Sequence, residues 1–306
     1  MGVSCVCQKM CYNIIVNALL LGKLQMKEGR LVARKYKLDA LEDHSTFDCI
    51  NFSGKNLQDM PATHKQEWYM AEKVLASGQI EPVLCDVFQE SLAYFFYGRP
   101  AYSLSRKGGS RGDRLYFPVC FLLDLNAIHI DKVFPFDSGG FAEALYDGFF
   151  HEKMDVNLFS LCPSTTETIK GFIDYFYGNN DLYYRNEGRF IDSTLSENLE
   201  FQSFVNFFNN RGEEKFDERY STIEIISKTP AALSESLIAV IVPVGFKTKH
   251  EKTLQELRGG TVDIITYNTF GGDPGSYNGV IRDKLYEYLC QKGFISTQTK
   301  MRCGKV

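Results

Sequence analysis

The sequence lacks the motifs of several large enzyme classes. It contains no Walker A loop, no Gly-x-Ser-x-Gly elbow and no His-Glu-x-x-His pair, so the corresponding phosphate, serine-hydrolase and zinc sites are not predicted. It also has no internal repeat and no low-complexity tract. An apolar run over residues 14–21 is too short to span a bilayer and no cleavage site follows it. We therefore expect a cytoplasmic protein without a membrane partner.

Cysteines are present but follow no zinc-ribbon spacing. Of the nine, Cys5, Cys7 and Cys11 crowd the N-terminus without a second pair of ligands, and we predict no metal cofactor. Cys85 and Cys120 lie in apolar, strand-like runs, where a thiol usually serves as a small buried hydrophobe. This usage indicates a reducing compartment.

The chain has little excess of charge of either sign. A net charge of −4 argues against a protein that coats duplex DNA by bulk electrostatics, but not against capture of a single-stranded segment in a local groove. The 44% of hydrophobic residues is typical of an ordinary folded protein. We predict one domain over residues 41–306, preceded by an extension over residues 1–40 and interrupted by an insertion at about 164–218.

Helical and strand patterns alternate along the chain without a regular βαβ rhythm. The apolar spacing predicts a helix that begins near residue 61 and ends at Gly78, then an aromatic helix or turn over residues 90–96. Strands are predicted over residues 116–125, 220–226, 237–244 and 262–267, and a last helix over residues 277–289. This order indicates an α+β fold rather than a doubly wound parallel sheet.

Two charged residues lie where their neighbours are apolar. Arg99 is flanked by aromatic residues and stands between a glycine and a proline; its guanidinium suits a pyrophosphate or carboxylate, or it caps carbonyls as a structural arginine. Glu224 lies within a strand-like run, where a carboxylate is costly unless it faces a cavity, a partner or water. Glu235, Asp217 and Glu218 are rival acids in segments where exposure is the simpler interpretation.

Both residues belong to segments that resemble a known family. Residues 94–102, Tyr-Phe-Phe-Tyr-Gly-Arg-Pro-Ala-Tyr, are similar to the arginine–proline element of the DarT-type ADP-ribosyltransferases, toxins that modify nucleic acid. Residues 221–226, with the apolar run after them, resemble the late glutamate strand of that family. Residues 44–46, His-Ser-Thr, ahead of Asn51, resemble its His-x-Thr start. The three short motifs occur in the family's order over roughly residues 44–245.

The resemblance implies an ADP-ribosyltransferase-like split β-sheet core, with helical and loop insertions, that binds NAD as a consumed substrate. It implies that Glu224 is the catalytic carboxylate and that Arg99 contacts the NAD phosphates or the nicotinamide ribose. Contacts to the nicotinamide side are implied for His44 and Thr46, and stacking on a ring of NAD for Tyr97 or Tyr102. Cleavage of the nicotinamide–ribose bond builds positive charge on the sugar, which a buried carboxylate is suited to stabilise.

The acceptor of the ADP-ribose is predicted from surface features. A basic loop over residues 105–114 and three aromatic residues of the insertion, Tyr183, Tyr184 and Phe190, favour single-stranded DNA or RNA, with a protein acceptor as the alternative. The toxin resemblance implies a role in toxin–antitoxin or antiphage defence and a neutralising or regulatory protein. Rival functions are an NAD glycohydrolase, which transfers the sugar to water, and a non-catalytic adaptor module that binds a nucleotide without turnover.

Overall fold

A computed structural model describes residues 26–27, 30–31, 33–38, 46–52, 57–101, 114–210 and 218–296. Several positions discussed above lie outside these ranges: His44, Tyr102, Asp217, the three N-terminal cysteines and almost all of the basic loop. Within the described ranges, no helix is both long enough and apolar enough to cross a membrane.

The centre of the molecule is an eight-stranded, mostly antiparallel sheet. With strands numbered in chain order, its main path is β12 (Asp263–Tyr267), β11 (Leu237–Pro243), β7 (Pro118–Leu123), β3 (Ala62–Glu67), β6 (Ser91–Tyr97), β9 (Glu224–Ser227) and β8 (Lys132–Phe134), and β5 (Val83–Leu84) pairs with β6. Strands β11 and β12 run parallel. Two short pairs lie apart, β1 (Met26–Lys27) with β2 (Arg30–Leu31) and β4 (Gln79–Ile80) with β10 (Ala231–Ala232).

Eight α-helices accompany the sheet in the described part of the chain. They are α1 (Trp68–Ser77), α2 (Ser138–Ala142), α3 (Thr166–Phe176), α4 (Asn180–Tyr184), α5 (Leu199–Asn209), α6 (Leu233–Ser236), α7 (Val244–Glu256) and α8 (Tyr277–Gln291). The combination of this sheet with helices confirms the predicted α+β class.

Helix α1 ends where the sequence predicts but begins later. Trp68, Ala71 and Leu75 are buried on one face, and Gly78 closes the helix with a left-handed φ of 74°. The expected start near residue 61 is wrong, because residues 62–67 form β3 and pair with both β6 and β7. Strand pairing across the sheet thus overrides the local helical pattern.

The helix or turn predicted over residues 90–96 is also wrong, since this segment is strand β6. Phe95 and Tyr97 are fully buried on one face of the sheet, whereas Tyr94 and Phe96 on the other face are partly exposed. Alternation is the signature of a strand, but four consecutive aromatic residues hide it because both faces receive apolar side chains.

The remaining predicted elements are confirmed with shifted ends. Strands β7 and β11 are almost entirely buried, as expected for residues 116–125 and 237–244. Strand β12 and helix α8 lie where the pattern indicates. Strand β9, however, begins only at Glu224, because residues 218–221 form a turn of 3₁₀ helix.

The sheet is divided between β3 and β6. Strand β3 pairs with β7 over six residue pairs but with β6 over only two. Beyond these two pairs, the side chain of His64 reaches β6, and its Nδ1 donates to the Tyr94 carbonyl at 2.8 Å. Because a carbonyl only accepts, the proton lies on Nδ1, and Nε2 accepts from the Gln66 amide at 3.0 Å. Burial lowers the pKa of His64, which favours this neutral form.

Aromatic packing joins the insertion to the core. Helices α3 and α5 meet through Phe176 and Phe204, whose ring centroids are 5.5 Å apart. Phe204 also contacts Phe136, in the segment after β8, at 6.2 Å, and Phe47 at 4.9 Å. In this region the abundant phenylalanines pack the core.

Glu72 connects α1 to α7. One oxygen of its carboxylate accepts hydrogen bonds from Trp68 Nε1 at 2.6 Å, Lys249 Nζ at 2.7 Å and His250 Nε2 at 3.0 Å. Burial opposes the charge, but the hydrogen bonds from Lys249, His250 and Trp68 outweigh it and lower the pKa of Glu72 from 4.5 to about 2.

We expect the Glu72→Gln variant to unfold at a lower temperature than the parent protein at neutral pH. Because the folded-state pKa is depressed, this contribution to stability is present above pH 4.5 and is lost as the pH falls through about 2. Thermal unfolding followed from pH 7 to pH 2 should therefore show the two proteins converging. Glu251→Gln, on an exposed pair of the same helix α7, is the control and should change little. A constant difference at all pH values would contradict this explanation.

Candidate functional site

The structure brings Arg99 and Glu224 to adjacent strand ends. Strand β6 ends just before Arg99, and β9 begins at Glu224, which pairs with Phe96 of β6. The Arg99 side chain reaches Ser221 and Thr222, immediately ahead of Glu224. The two residues that the sequence singles out thus belong to one corner of the sheet, on the β6–β9 side of its division.

Arg99 is engaged by the protein itself. It is 3% exposed and makes five hydrogen bonds. Nε donates to Thr222 Oγ1 at 3.1 Å, and Nη2 donates to the carbonyl and hydroxyl oxygens of Ser221. Nη1 donates to the Tyr183 and Tyr184 carbonyls, and the guanidinium lies 4.9 Å from the Tyr183 ring centroid. In this conformation Arg99 ties α4 to the start of β9, and its contact with NAD stays a prediction.

Glu224 faces a partner rather than water. It is 1% exposed, and its Oε1 accepts from Ser138 Oγ at 2.6 Å and from the Ser138 backbone N–H at 3.3 Å. Burial raises the pKa of Glu224 well above its ordinary value, and the neighbouring charge of Asp137 raises it further. Of the environments that the sequence leaves open for this acid, the structure shows a buried one.

Asp137 holds the segment that carries Ser138. Its Oδ2 accepts from the Gly140 N–H at 3.0 Å, which caps α2, and forms an ion pair with Arg219 Nη1 at 3.1 Å. The backbone N–H of Asp137 donates to the Arg219 carbonyl at 3.1 Å. At Gly140, a Cβ atom would clash with the hydroxyl end of the buried Tyr146 side chain, so glycine lets these residues pack closely. Side-chain and backbone contacts together fix Asp137 next to Glu224.

Sequence reasoning missed Asp137, Ser138 and Arg219. The pattern of residues 134–141, a double glycine between aromatic residues, predicts a turn but no site. A local signal exists, because an aspartate ahead of Ser-Gly-Gly is typical of a helix N-cap. That signal predicts the turn but does not indicate that it lies against β9.

Tyr94 and Lys132 lie on the same sheet face as Glu224. Both are paired with Ile226, two residues along β9, and residues opposite one another in an antiparallel pair share a face. Burial raises the pKa of Tyr94, and so does the charge of Glu224; the hydroxyl donates to Cys85 Sγ at 2.8 Å. Lys132 Nζ donates to Asn157 Oδ1 at 2.9 Å.

Tyr97 and Thr46, both predicted to contact NAD, are buried. Tyr97 follows the residue that pairs with Glu224, so it lies on the opposite sheet face, and its hydroxyl accepts from the Met60 N–H at 3.0 Å. Thr46 is 2% exposed; its backbone N–H donates to the Leu158 carbonyl at 2.8 Å, and its hydroxyl has no hydrogen-bond partner among the described residues. Their roles toward NAD stay predictions.

Two of the three aromatic residues predicted to stack on bases are internal, which corrects that expectation. Tyr183 is fully buried, and its hydroxyl donates to the Tyr97 carbonyl at 2.9 Å and accepts from the Ile223 N–H at 3.0 Å. Tyr184 is 5% exposed and donates to the Arg282 carbonyl. Phe190 is 83% exposed and is accessible to a ligand.

A small aromatic cavity adjoins this corner. It is lined by Pro135, Tyr177, Phe204, Phe207, Phe208, Tyr220 and Ser221 and has room for about one water molecule. Through Ser221 it borders the Arg99 contacts, and through Pro135 it borders the segment that carries Asp137.

Among the rival acids, Glu235 is exposed in the first turn of α6, as expected.

Within the residues that the structure describes, no three histidine, cysteine, aspartate or glutamate side chains are grouped so that they could hold a metal ion. The chain matches no protein-family model, no curated protein and no solved structure.

Proposed function

We propose that the protein is an NAD-dependent ADP-ribosyltransferase in which Glu224 is the catalytic carboxylate and nucleic acid is the acceptor. The observation that carries the proposal is the burial of Glu224, at 1% exposure, at the strand end where Arg99 is also held. A fully buried acid that costs stability, beside a second carboxyl, is typical of a functional site rather than of a sheet edge.

Glu224 is proposed to act on the reaction through its negative charge. The bond between the nicotinamide nitrogen and the ribose breaks with its electron pair leaving on nicotinamide, and the sugar becomes oxocarbenium-like. An ionised Glu224 stabilises that charge, the acceptor's lone pair forms the new bond to the ribose carbon, and the acceptor's proton is released. NAD and acceptor thus give ADP-ribosyl acceptor, nicotinamide and one proton.

The division of the sheet also supports the proposal. The resemblance implies a split sheet that holds NAD, and β3 and β6 are joined by two residue pairs while the other main pairings are longer. Glu224, at the start of β9, and Arg99, just after β6, lie on the β6 side of this division. For the acceptor, the support is the resemblance and the exposed ring of Phe190, on which an unpaired base can stack.

Incubation with NAD labelled in the adenylate part, together with separate pools of single-stranded DNA, RNA and protein, tests this function. We expect label to move to a nucleic acid and nicotinamide to be released in equal amount. Phe190→Ala should weaken transfer to nucleic acid several-fold without changing the folded state, since the ring is exposed. The matched control is Phe270→Ala, at a second exposed ring that is 89% accessible.

The outcomes separate the rival functions. Loss of NAD without transfer of label indicates a glycohydrolase, and transfer to protein alone identifies a protein acceptor. NAD binding without turnover favours the adaptor module. If the purified protein neither binds nor consumes NAD, the proposed function is wrong.

A further inference from the structure

Two carboxyl groups share the buried corner at the start of β9. Glu224 is 1% exposed and Asp137 is 7% exposed. Ser138, the residue after Asp137, bonds to Glu224 through both its hydroxyl and its backbone N–H. Asp137 is therefore held next to Glu224, and its charge raises the pKa of Glu224. Two neighbouring ionised carboxylates repel strongly when they are shielded from water.

The groups around the pair favour charge on Asp137 rather than on Glu224. Arg219 forms an ion pair with Asp137 at 3.1 Å, and the Gly140 N–H donates to the same oxygen at 3.0 Å. Glu224 receives neutral donors from Ser138. An ion pair stabilises a carboxylate more than hydroxyl and amide donors do, so the single proton of the pair belongs on Glu224.

The other titratable groups facing Glu224 do not reverse this preference. From β6, Tyr94 is a neutral phenol whose hydroxyl donates to Cys85. From β8, Lys132 donates to Asn157 Oδ1. At the start of β9, the Arg99 guanidinium donates to Ser221 and Thr222, ahead of the acid.

We propose that Asp137 is a positioning residue that keeps a proton on Glu224 in the resting protein, so that the site becomes active as rising pH removes that proton. The proposal rests on the proposed function, in which an ionised Glu224 faces the developing oxocarbenium charge. The resting pair is Glu224–COOH with Asp137–COO⁻. Activation releases the proton of Glu224 to solvent, and both carboxylates are ionised at the end. No bond between heavy atoms changes.

Asp137→Asn tests the charge while preserving the fold of the turn. Asparagine also caps helices, so the bond from Gly140 is retained, but the negative charge next to Glu224 is removed. We expect the midpoint of the pH–kcat profile for NAD cleavage to fall by about one pH unit. Arg219→Gln removes the cation and should move the midpoint in the opposite direction. Structural damage alone would lower kcat in both variants without moving their midpoints apart.

A second measurement does not depend on NAD chemistry. The unfolding temperature of each protein is compared with that of its Glu224→Gln counterpart from pH 4 to pH 9, which reports the titration of Glu224 itself. In the Asp137→Asn background this difference should develop at lower pH than in the parent, and in the Arg219→Gln background at higher pH.

The results distinguish failure of the pair from failure of the proposed function. Opposite shifts in the unfolding series, in a protein that does not consume NAD, support the proton-sharing pair and reject the enzyme. NAD cleavage with unshifted midpoints in both variants supports the enzyme and overturns the role of Asp137. Shifts in the same direction for both variants also overturn it. If one variant fails to fold, the other still tests the proposal, because each has its own expected direction: the midpoint should fall in Asp137→Asn and rise in Arg219→Gln.

Discussion

Replacing Glu224 with glutamine is expected to abolish NAD cleavage and to make the folded protein more stable. The side chain is nearly isosteric and still accepts from Ser138, so the local structure is retained. The loss of the carboxylate removes the charge that stabilises the oxocarbenium-like sugar, and we expect NAD cleavage to fall by at least ~100-fold, the usual scale for such an electrostatic contact.

The gain in stability follows from the raised pKa of Glu224, which burial causes first and the charge of Asp137 second. A folded-state pKa above the unfolded value gives a contribution that is fully present below pH 4.5 and is lost as the pH rises through the folded pKa. Glutamine does not ionise, so the Glu224→Gln protein does not lose this stability as the pH rises. The variant and the parent should therefore be similar at pH 4, and the variant should be more stable at pH 8 by at least ~1 kcal/mol, since one pKa unit corresponds to ~1.4 kcal/mol.

Two assays check this pair of effects, nicotinamide release and thermal unfolding across the same pH range. Glu235→Gln is the matched control, because that glutamate is exposed and should alter neither quantity. A Glu224→Gln protein that is less stable at pH 8 than at pH 4, relative to the parent, would show that the acid is satisfied as a carboxylate. If the Glu224→Gln protein cleaves NAD as fast as the parent, Glu224 takes no part in the reaction.

Arg99→Lys is expected to destabilise the protein by about 1–3 kcal/mol for each buried carbonyl that is left without a donor. The guanidinium reaches the Ser221 and Tyr183 carbonyls and the Thr222 hydroxyl from a planar fork. An ammonium group on a shorter stem cannot span these acceptors together, so buried carbonyls lose their donors. We expect the contact between α4 and the start of β9 to be lost first, because the hydrogen bonds of Arg99 link these two elements.

Denaturant unfolding, with the midpoint and slope compared between variants, measures the effect of Arg99→Lys. Arg185→Lys, at the C-cap of α4, is the control: its side chain is 40% exposed, and the change should cost less than about 1 kcal/mol. If Arg99→Lys is as stable as the parent protein while NAD affinity drops, Arg99 is a ligand-binding residue rather than a structural one. A large loss of stability would show that the main role of Arg99 is structural, namely to join α4 to the start of β9.

Local sequence patterns are enough to pick out Arg99 and Glu224 as charged residues among apolar neighbours. They are not enough to predict the partners of these two residues. Arg99 and Glu224 attract notice because ionised groups among apolar neighbours are costly, and both are indeed buried. The partner of Glu224, Ser138, is separated from it by 86 residues, and no sequence spacing indicates that contact. The same holds for Arg99, whose acceptors at Tyr183 and Ser221 come from distant segments.

Errors in the predicted elements arise where the tertiary context decides. Strand β6 carries a run of aromatic residues that is apolar on both faces, so the period of two is invisible in the sequence. Tyr183 and Tyr184 carry hydroxyl groups that satisfy buried backbone groups, a use that composition cannot distinguish from stacking on a base. His64, at the division of the sheet, went unnoticed because its role depends on the spacing of β3 and β6.

That division is the shortest strand pairing on the main path of the sheet. Within the described chain, two ladder pairs, the Thr63 hydroxyl bonded to the Phe96 carbonyl and the His64 imidazole connect β3 to β6, whereas β3 and β7 share six pairs. A rotation of one half-sheet against the other at this place would break few backbone hydrogen bonds. Arg99 and Glu224 belong to the same half, so such a rotation would move them together and leave the contacts of their strand ends intact.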